Sequence, residues 1–521
     1  MSKLVSAEFA ANLVKDGMSL GMGGFVGYGT PEELLIALEK RYVESGSPKN
    51  LTVFHGAGIG DGGERGMNHM GYEGLIKRLI CAHVGLAPKL GALCMQNKVE
   101  CFILPQGVCS HILRATGGKK PGLITHVGLK TYADPRNEGC KGNQAAKDSG
   151  FEVVELISIH GKDYLFYNSV PLDICFLRGT YADEDGNISL KKEGLHGDQF
   201  EMALATHNSG GTVIVQVEEV VQAGSLPVAD VKIPSFMVDY VVIGKPENHW
   251  QSFMQPGYRP EMTGETKIPL DAIEPMPLNW RKVCGRRGAQ LLKKNSVVNL
   301  GIGVAEAIAA VAGEEGVSDQ ITLSIESGVL GGVPTGGVGI GGTVNPFAII
   351  KQPDCFDFYD GAGLDMAFLG LAEVDQYGNV NVSKFGGRMV GPGGFINITQ
   401  NAKLVGFCGS FTAGKGMKFE IKDGKLNIIQ DGTSIKFKKN VEQITYSGEY
   451  GVESGQTVYY ITERALFKLV PGGMELLEIA PGVDLHKDIL DKMEFTPIMN
   501  DVKLMDPAIF SDVLMHLQLE D

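Results

Sequence analysis

The stretch 321-ITLSIESGVLGGVPTGGVGIGG-342 reads as a short strand running into glycine, with Glu326 the only ionisable side chain between Asp319 and Lys351. Its strand and glycine pattern repeats that of 51-LTVFHGAGIGDGG-63, and in that pairing Glu326 falls on Gly56. Two further pairs occur in the same order. A helix, a polar break and a strand ending in Leu20-Gly21-Met22-Gly23 match the residues leading to Leu300-Gly301-Ile302-Gly303, and 173-DICFLRGTYADEDGNISL-190 matches 365-DMAFLGLAEVDQYGNVNVS-383. Three ordered matches imply two related halves.

Each half alternates strands with helices, as in 32-EELLIALEKRYVES-45 followed by LTVFHG, and so predicts an α/β domain with a mostly parallel sheet. The expected architecture is two structurally related open α/β domains in tandem. Eight of the 23 prolines fall between 225 and 280, which marks a crossover linker. The expected division is therefore a domain over 1–230, a linker over 231–280 and a second domain over 281–521 that carries Glu326. The second half also predicts an antiparallel hairpin in 417-MKFEIKDGKLNIIQ-430, turning at Lys-Asp-Gly.

With 43% hydrophobic and 21% charged residues, the composition is that of a soluble globular chain of at least two domains. A net charge of −14 and the lack of a basic stripe argue against nucleic acid as a partner. No signal-peptide pattern and no apolar run of 18 residues occur, so no membrane partner and a cytoplasmic location are expected. Nine cysteines without a C-x-x-C pair read as reduced, mostly buried thiols. His55, His111, His126 and His196 lack ligand spacing, so no metal is expected.

The segment 21-GMGGFVGYGTPEELL-35 feeds a glycine loop into a helix, with Thr30 as N-cap, Pro31 at N1 and Glu33 at N3 completing a capping box. Ser6 similarly caps a first helix that Gly17 should stop. Such a glycine loop suits an anion or an acyl oxygen, and equally a plain tight turn. GIGDGG (58–63) and GVGIGG (337–342) fit G-x-G-x-x-G but lack the following helix and acid of a dinucleotide site. GSFTAGKG (409–416) lacks the Ser or Thr of a P-loop and leads into the hairpin.

A carboxylate at a strand end among glycines can serve as a nucleophile where backbone N–H groups await an oxyanion. A salt bridge to the other half is the structural alternative. Glycine lets backbone approach the reacting carbonyl, and a carboxylate can exchange one acyl partner for another at nearly constant energy.

With ESGVLGGVPTGG stand LGMGGFVGYGTPEELL, LPQG (104–107), VGLKTYADPRNEGC (127–140), GPGGFINITQNAK (391–403) and EIAPGVDL (478–485). On these segments the chain resembles the family I coenzyme A transferases, in particular the propionate and acetate branch, over essentially its whole length. That resemblance implies two similar α/β domains with the active site between them, a homo-oligomer (a tetramer), and exchange of CoA between short-chain acyl-CoA and a carboxylate such as acetate. No tightly bound cofactor is implied. Coenzyme A itself is substrate and covalent intermediate, carried as a glutamyl-CoA thioester on Glu326.

The resemblance further implies Gly303 and Val304 of LGIGV and Gly393 and Gly394 of GPGGF as oxyanion contributors, with Gln106 beside the glutamate. It implies Met22, Gly23, Gly24, Phe25 and Val26 around the acyl group, and Gly361, Gly363, Asp365 and Lys403 on the CoA side. Glu326-Ser327-Gly328 replaces the E-N-G or E-P-G of related members, which favours short monocarboxylates over 3-oxoacids. A 3-oxoacid CoA-transferase, an acyl-CoA hydrolase on the same fold and a CoA-binding regulator are the alternatives.

Overall fold

The computed structural model describes residues 3–269, 275–301 and 303–521. Residues 270–274 of the expected linker and Ile302 of the LGIG match lie outside the described residues. Two compact units emerge, and their division differs from the expected one. The first comprises Met1–Ile268, Glu326–Asp357 and Gly387–Asn397, and the second Pro269–Ile325, Phe358–Gly386 and Ile398–Asp521.

In the first unit, seven strands form one parallel sheet: β1 (Ser19–Met22), β2 (Leu51–His55), β3 (Ile76–Cys81), β4 (Glu100–Ile103), β5 (Ile174–Arg178), β6 (Thr212–Val217) and β7 (Tyr240–Ile243). Their order across the sheet is β7-β6-β5-β1-β2-β3-β4. The interior strand β5 is buried along its whole length, as expected of a parallel strand covered on both faces. Residues 231–268 are therefore not linker: Tyr240–Ile243 pairs with Ile214–Val217 as the edge strand. Proline density marked the loops around this strand but hid the strand itself.

Helix α1 (Ala7–Leu13) starts as expected, with Ser6 Oγ accepting from the Phe9 N–H at 3.1 Å. It ends before Gly17, whose φ of +77° turns the chain into β1. Helix α2 (Glu32–Ser45) does not use the expected capping box. Pro31 is the N-cap, the Thr30 hydroxyl donates to the Val26 carbonyl at 3.2 Å, and the Glu33 N–H is met instead by Gln216 Oε1 at 2.9 Å. A remote side chain from β6 replaces the local cap. Two more helices, α3 (Gln106–Gly117) and α4 (Gln199–Asn208), pack against each other in this unit.

The second unit holds β8 (Val297–Leu300), β9 (Thr322–Ser324), β10 (Met366–Gly370), β11 (Leu404–Cys408), β12 (Thr457–Ile461), β13 (Ala465–Val470), β14 (Gly473–Ile479) and β15 (Lys503–Leu504). Strands β9-β8-β10-β11-β12 are parallel, and β13 and β14 extend the sheet antiparallel. Helix α5 (Trp280–Ala289) packs on α6 (Glu306–Glu314). The expected hairpin forms between Lys418–Lys422 and Lys425–Gln430, with Asp423 and Gly424 both at positive φ as a two-residue turn requires. All nine cysteines are free and buried.

The repeat is visible in hydrogen bonds. Asp173 Oδ2 accepts from Ser19 N at 2.8 Å to hold the start of β1, and Asp365 Oδ2 accepts from Val297 N at 2.9 Å to hold the start of β8. Asp183 Oδ1 accepts from the amides of Asp185 and Asn187, as Asp375 Oδ1 does from Tyr377 and Asn379. These latches place Met22-Gly23 opposite Leu300-Gly301, two residues off the match read from the sequence. A two-residue slip keeps every side chain on the same face, so the pattern alone cannot detect it. The pairing of Gly56 with Glu326 stands, because Ser19 pairs with Thr52 as Val297 pairs with Thr322.

Candidate active site

Glu326 lies half-buried in a turn just beyond β9. From it to Asp357 the chain belongs to the first unit. Ser327 is fully buried, and its hydroxyl donates to the Gly341 carbonyl at 2.6 Å, closing the glycine-rich arm back on its root. Gly328 has φ +98°, and any Cβ there would strike the Ile350 carbonyl. Residues Val329–Leu330 then pair antiparallel with Ala348–Ile349. The need for glycine at 328 is thus a close backbone approach.

This arm seats on the first glycine loop, all within one unit. Tyr28 Oη donates to the Gly339 carbonyl at 2.9 Å, and a side chain at Gly341 would meet the Phe25 ring. Phe25, Val26, Tyr28, Ala57, Leu195, Met262 and Val329 form a buried apolar cluster with Val338 and Ile340 packed on it. Val26 holds φ +56°, a strained conformation for a β-branched residue. Its N–H donates to Gly58 O at 2.6 Å, which ties the loop to the turn beyond β2. Met22 is not part of this cluster: it packs in the main core of the sheet. Gly23 spends its amide on the Phe176 carbonyl, and Gly24, at φ +137°, leaves room for the Thr30 hydroxyl.

Gln106 opens α3 and is buried. Its Nε2 donates to Gln352 Oε1 at 3.1 Å, Gln352 Nε2 donates to Ser110 Oγ at 2.6 Å, and Ser110 Oγ lies 3.5 Å from Asp198 Oδ2. Burial, with the Glu201 charge beside it, pushes Asp198 up to about 7. Gln352, Ser110 and Asp198 carry no motif, and although Ser110 lies one turn after Gln106 on α3, Gln352 and Asp198 are remote in sequence, so only the fold reveals the chain they form. His55, buried, and His83, half-buried, are both pushed down by desolvation to about 4, neutral near pH 7.

Gly393 donates its N–H to Ala82 O at 3.0 Å and accepts from Gln106 N at 3.0 Å, so its amide is engaged and is not open to an oxyanion. Gly303, at φ +87°, and Val304 lie in the second unit after β8. Gly361 and Gly363 lie there too, in the turn before β10. Asp365 and Lys403 are paired with each other at 2.7 Å. Because Asp173 makes the same strand latch in the other half, Asp365 is explained by the fold and needs no CoA contact. Among the described residues no group of His, Cys, Asp and Glu is arranged to hold a metal ion, and no helix is long and apolar enough to cross a membrane.

A carboxylate in a turn of glycines, three residues before a strand that enters an apolar cluster, is of the kind that can serve as an acyl-transfer nucleophile. Comparison with known proteins agrees. Residues 4–244 match the coenzyme A transferase family model. The chain is 46% identical over 518 residues to a caffeate CoA-transferase of Acetobacterium woodii, covering 98% of each chain. It is 40% identical over 522 residues to the acetate CoA-transferase YdiF of Escherichia coli K12, covering 99% of this chain and 97% of that one. A crystal structure of the Escherichia coli O157:H7 acyl-CoA transferase YdiF, described as a thioester complex with CoA, superposes with a TM-score of 0.94 at 39% identity, covering 100% and 98%. The chain belongs to the coenzyme A transferase family, and it moves CoA between an acyl-CoA and a free carboxylate.

Proposed function

We propose that the enzyme works by ping-pong exchange through Glu326, with short-chain acyl-CoA and acetate or propionate as partners. The Glu326 carboxylate attacks the acyl carbonyl, the C–S bond breaks, and CoA leaves as thiolate from an acyl-glutamyl anhydride. The thiolate attacks the Glu326 Cδ, the anhydride C–O bond breaks, and the acyl group departs as a free carboxylate. A glutamyl-CoA thioester remains. A second carboxylate reverses both steps, and no net proton is consumed.

The observation that carries this reading is the placement of Glu326: the repeat puts Gly56 at its position in the first half, so the fold has no need of an acid there. The Gln106 amide, held by Gln352, is suited to steady a carboxylate in the same unit. Gly303, Val304 and Gly394 are the remaining candidates for oxyanion donors, while Gly361, Gly363 and Lys403 remain on the CoA side. The tight cluster around Phe25, Val26 and Val329 favours small acyl groups over bulky ones. A homotetramer in the cytoplasm completes the proposal.

Intact-mass analysis after mixing with propionyl-CoA and no acceptor acid tests it. Wild type should gain covalent CoA on the Glu326 peptide, and Glu326→Ala should not. Acetate should then convert the adduct into acetyl-CoA; release of free CoA at the same rate would make the enzyme a hydrolase. Lack of any adduct in the wild type would exclude the glutamyl thioester.

A further inference from the structure

A cavity of about 500 Å³ in the first unit is lined by Lys191, Lys232 and Lys267 together with His196, Asp230 and Phe347. None of these side chains has a part in the reaction proposed above. Lys191 and Lys267 make no ion pair among the described residues, and the Lys232 ammonium donates only to the Ala229 carbonyl, at 2.8 Å. Asp230 is the one acid of the lining left to balance them, since Glu193 is bound by Arg178 at 2.5 Å. Three lysines thus line the cavity with one acid not already paired, on a chain of net charge −14.

The other walls point to what accompanies the negative charge. Phe347 is 67% exposed, an apolar ring presented to the cavity. The His196 ring makes no hydrogen bond among the described residues, and burial next to Lys232 and Lys351 pushes it down to about 4, so a neutral donor and acceptor faces the space. The volume is that of an ordinary small-molecule site. Inorganic phosphate would use the lysines and leave the ring bare.

We propose that this cavity binds a nucleotide group, with the lysines on its phosphates, Phe347 stacked on its base and His196 bonded to its sugar or base edge. The site bears on the nucleophile segment through backbone. Phe347 N donates to Leu330 O at 3.0 Å, and Ala348–Ile349 pairs with Val329–Leu330, the strand that begins three residues after Glu326. Two sources share this chemistry: the phosphorylated ADP end of CoA, which rests on the function proposed above, and a free nucleotide acting as effector.

Calorimetric titration of the full chain with ADP and with adenosine 3′,5′-bisphosphate tests the site without turnover. Saturable binding is expected in wild type and equally in Glu326→Ala, so failure of the proposed chemistry does not touch it. Lys191→Ala, Lys267→Ala and Phe347→Ala should each weaken binding by about tenfold, the loss of one good contact, and Lys191→Arg should largely keep it. A parallel rise in KM for acyl-CoA would identify CoA as the source. An unchanged KM, with ADP altering the rate non-competitively, would identify a free nucleotide. No saturable binding to wild type, or equal affinity in all variants, would overturn the proposal.

Discussion

The Asp198 carboxylate lies over Gly56 so closely that any side chain at 56 would run into its Oδ2. Gly56 is the counterpart of Glu326, so the two halves use one strand-end position in opposite ways: one carries a carboxylate there, and the other leaves the space to the carboxylate of Asp198, the N-cap residue of α4. Gly56→Ala should therefore cost about 1 to 3 kcal/mol, the usual penalty of overpacking. It should also lower activity by displacing Asp198 and the Ser110–Gln352–Gln106 chain behind it. Thermal denaturation and a CoA-transfer assay would measure both, and a variant of unchanged stability would refute the close packing.

Ser327, the residue after Glu326, is accounted for by the fold alone. Its buried hydroxyl satisfies the Gly341 carbonyl and holds the glycine arm closed. Ser327→Ala leaves that acceptor unpaired, at a cost of about 1 to 3 kcal/mol. The expected outcome is a lower unfolding midpoint with a drop in kcat, and covalent CoA still forming on Glu326. Complete loss of the adduct would mean that Ser327 enters the chemistry.

Asp198 and the two desolvated histidines set opposing pH dependences. Burial raises Asp198 from an ordinary 3.8 to about 7, so the folded protein keeps a proton that the unfolded chain has released. Its contribution to stability falls as pH rises through that window. His55 and His83 are depressed from 6.5 to about 4, so the unfolded chain binds protons the folded one refuses, and their contribution rises with pH over that range. Asp198→Asn removes only the first effect. Urea midpoints between pH 4 and 7 should climb more steeply in the variant than in wild type; parallel curves would mean that Asp198 titrates normally.

The repeat, the parallel sheets, the hairpin and the separation of Glu326 from what the fold requires were legible because they rest on periodicity and glycine placement. The capping of α2 was not, since Gln216 comes from a strand some 180 residues away. Nor was the division into units. Chain order assigns Glu326 to the second half, whereas the glycine arm that follows it packs against Phe25 and Tyr28, and no local signal announces that return. Gln352, Ser110 and Asp198 were invisible for the same reason: each is an ordinary polar residue until the fold lines them up behind Gln106.

Comparing the halves also decides between readings of Asp365. A CoA contact would make it special to the second half, but Asp173 makes the same bond to the first amide of the matching strand, and in each half the aspartate's backbone carbonyl then accepts from the next strand, at Thr212 N and Leu404 N. Asp173→Ala and Asp365→Ala should therefore act alike, each costing about 1 to 3 kcal/mol of stability through a lost charge-assisted bond. Neither should change KM for acyl-CoA once measured below its unfolding range. Loss of Asp365 also frees Lys403, so Lys403→Ala is the needed companion. A raised KM in Asp365→Ala, absent from both Asp173→Ala and Lys403→Ala, would return Asp365 to the CoA site.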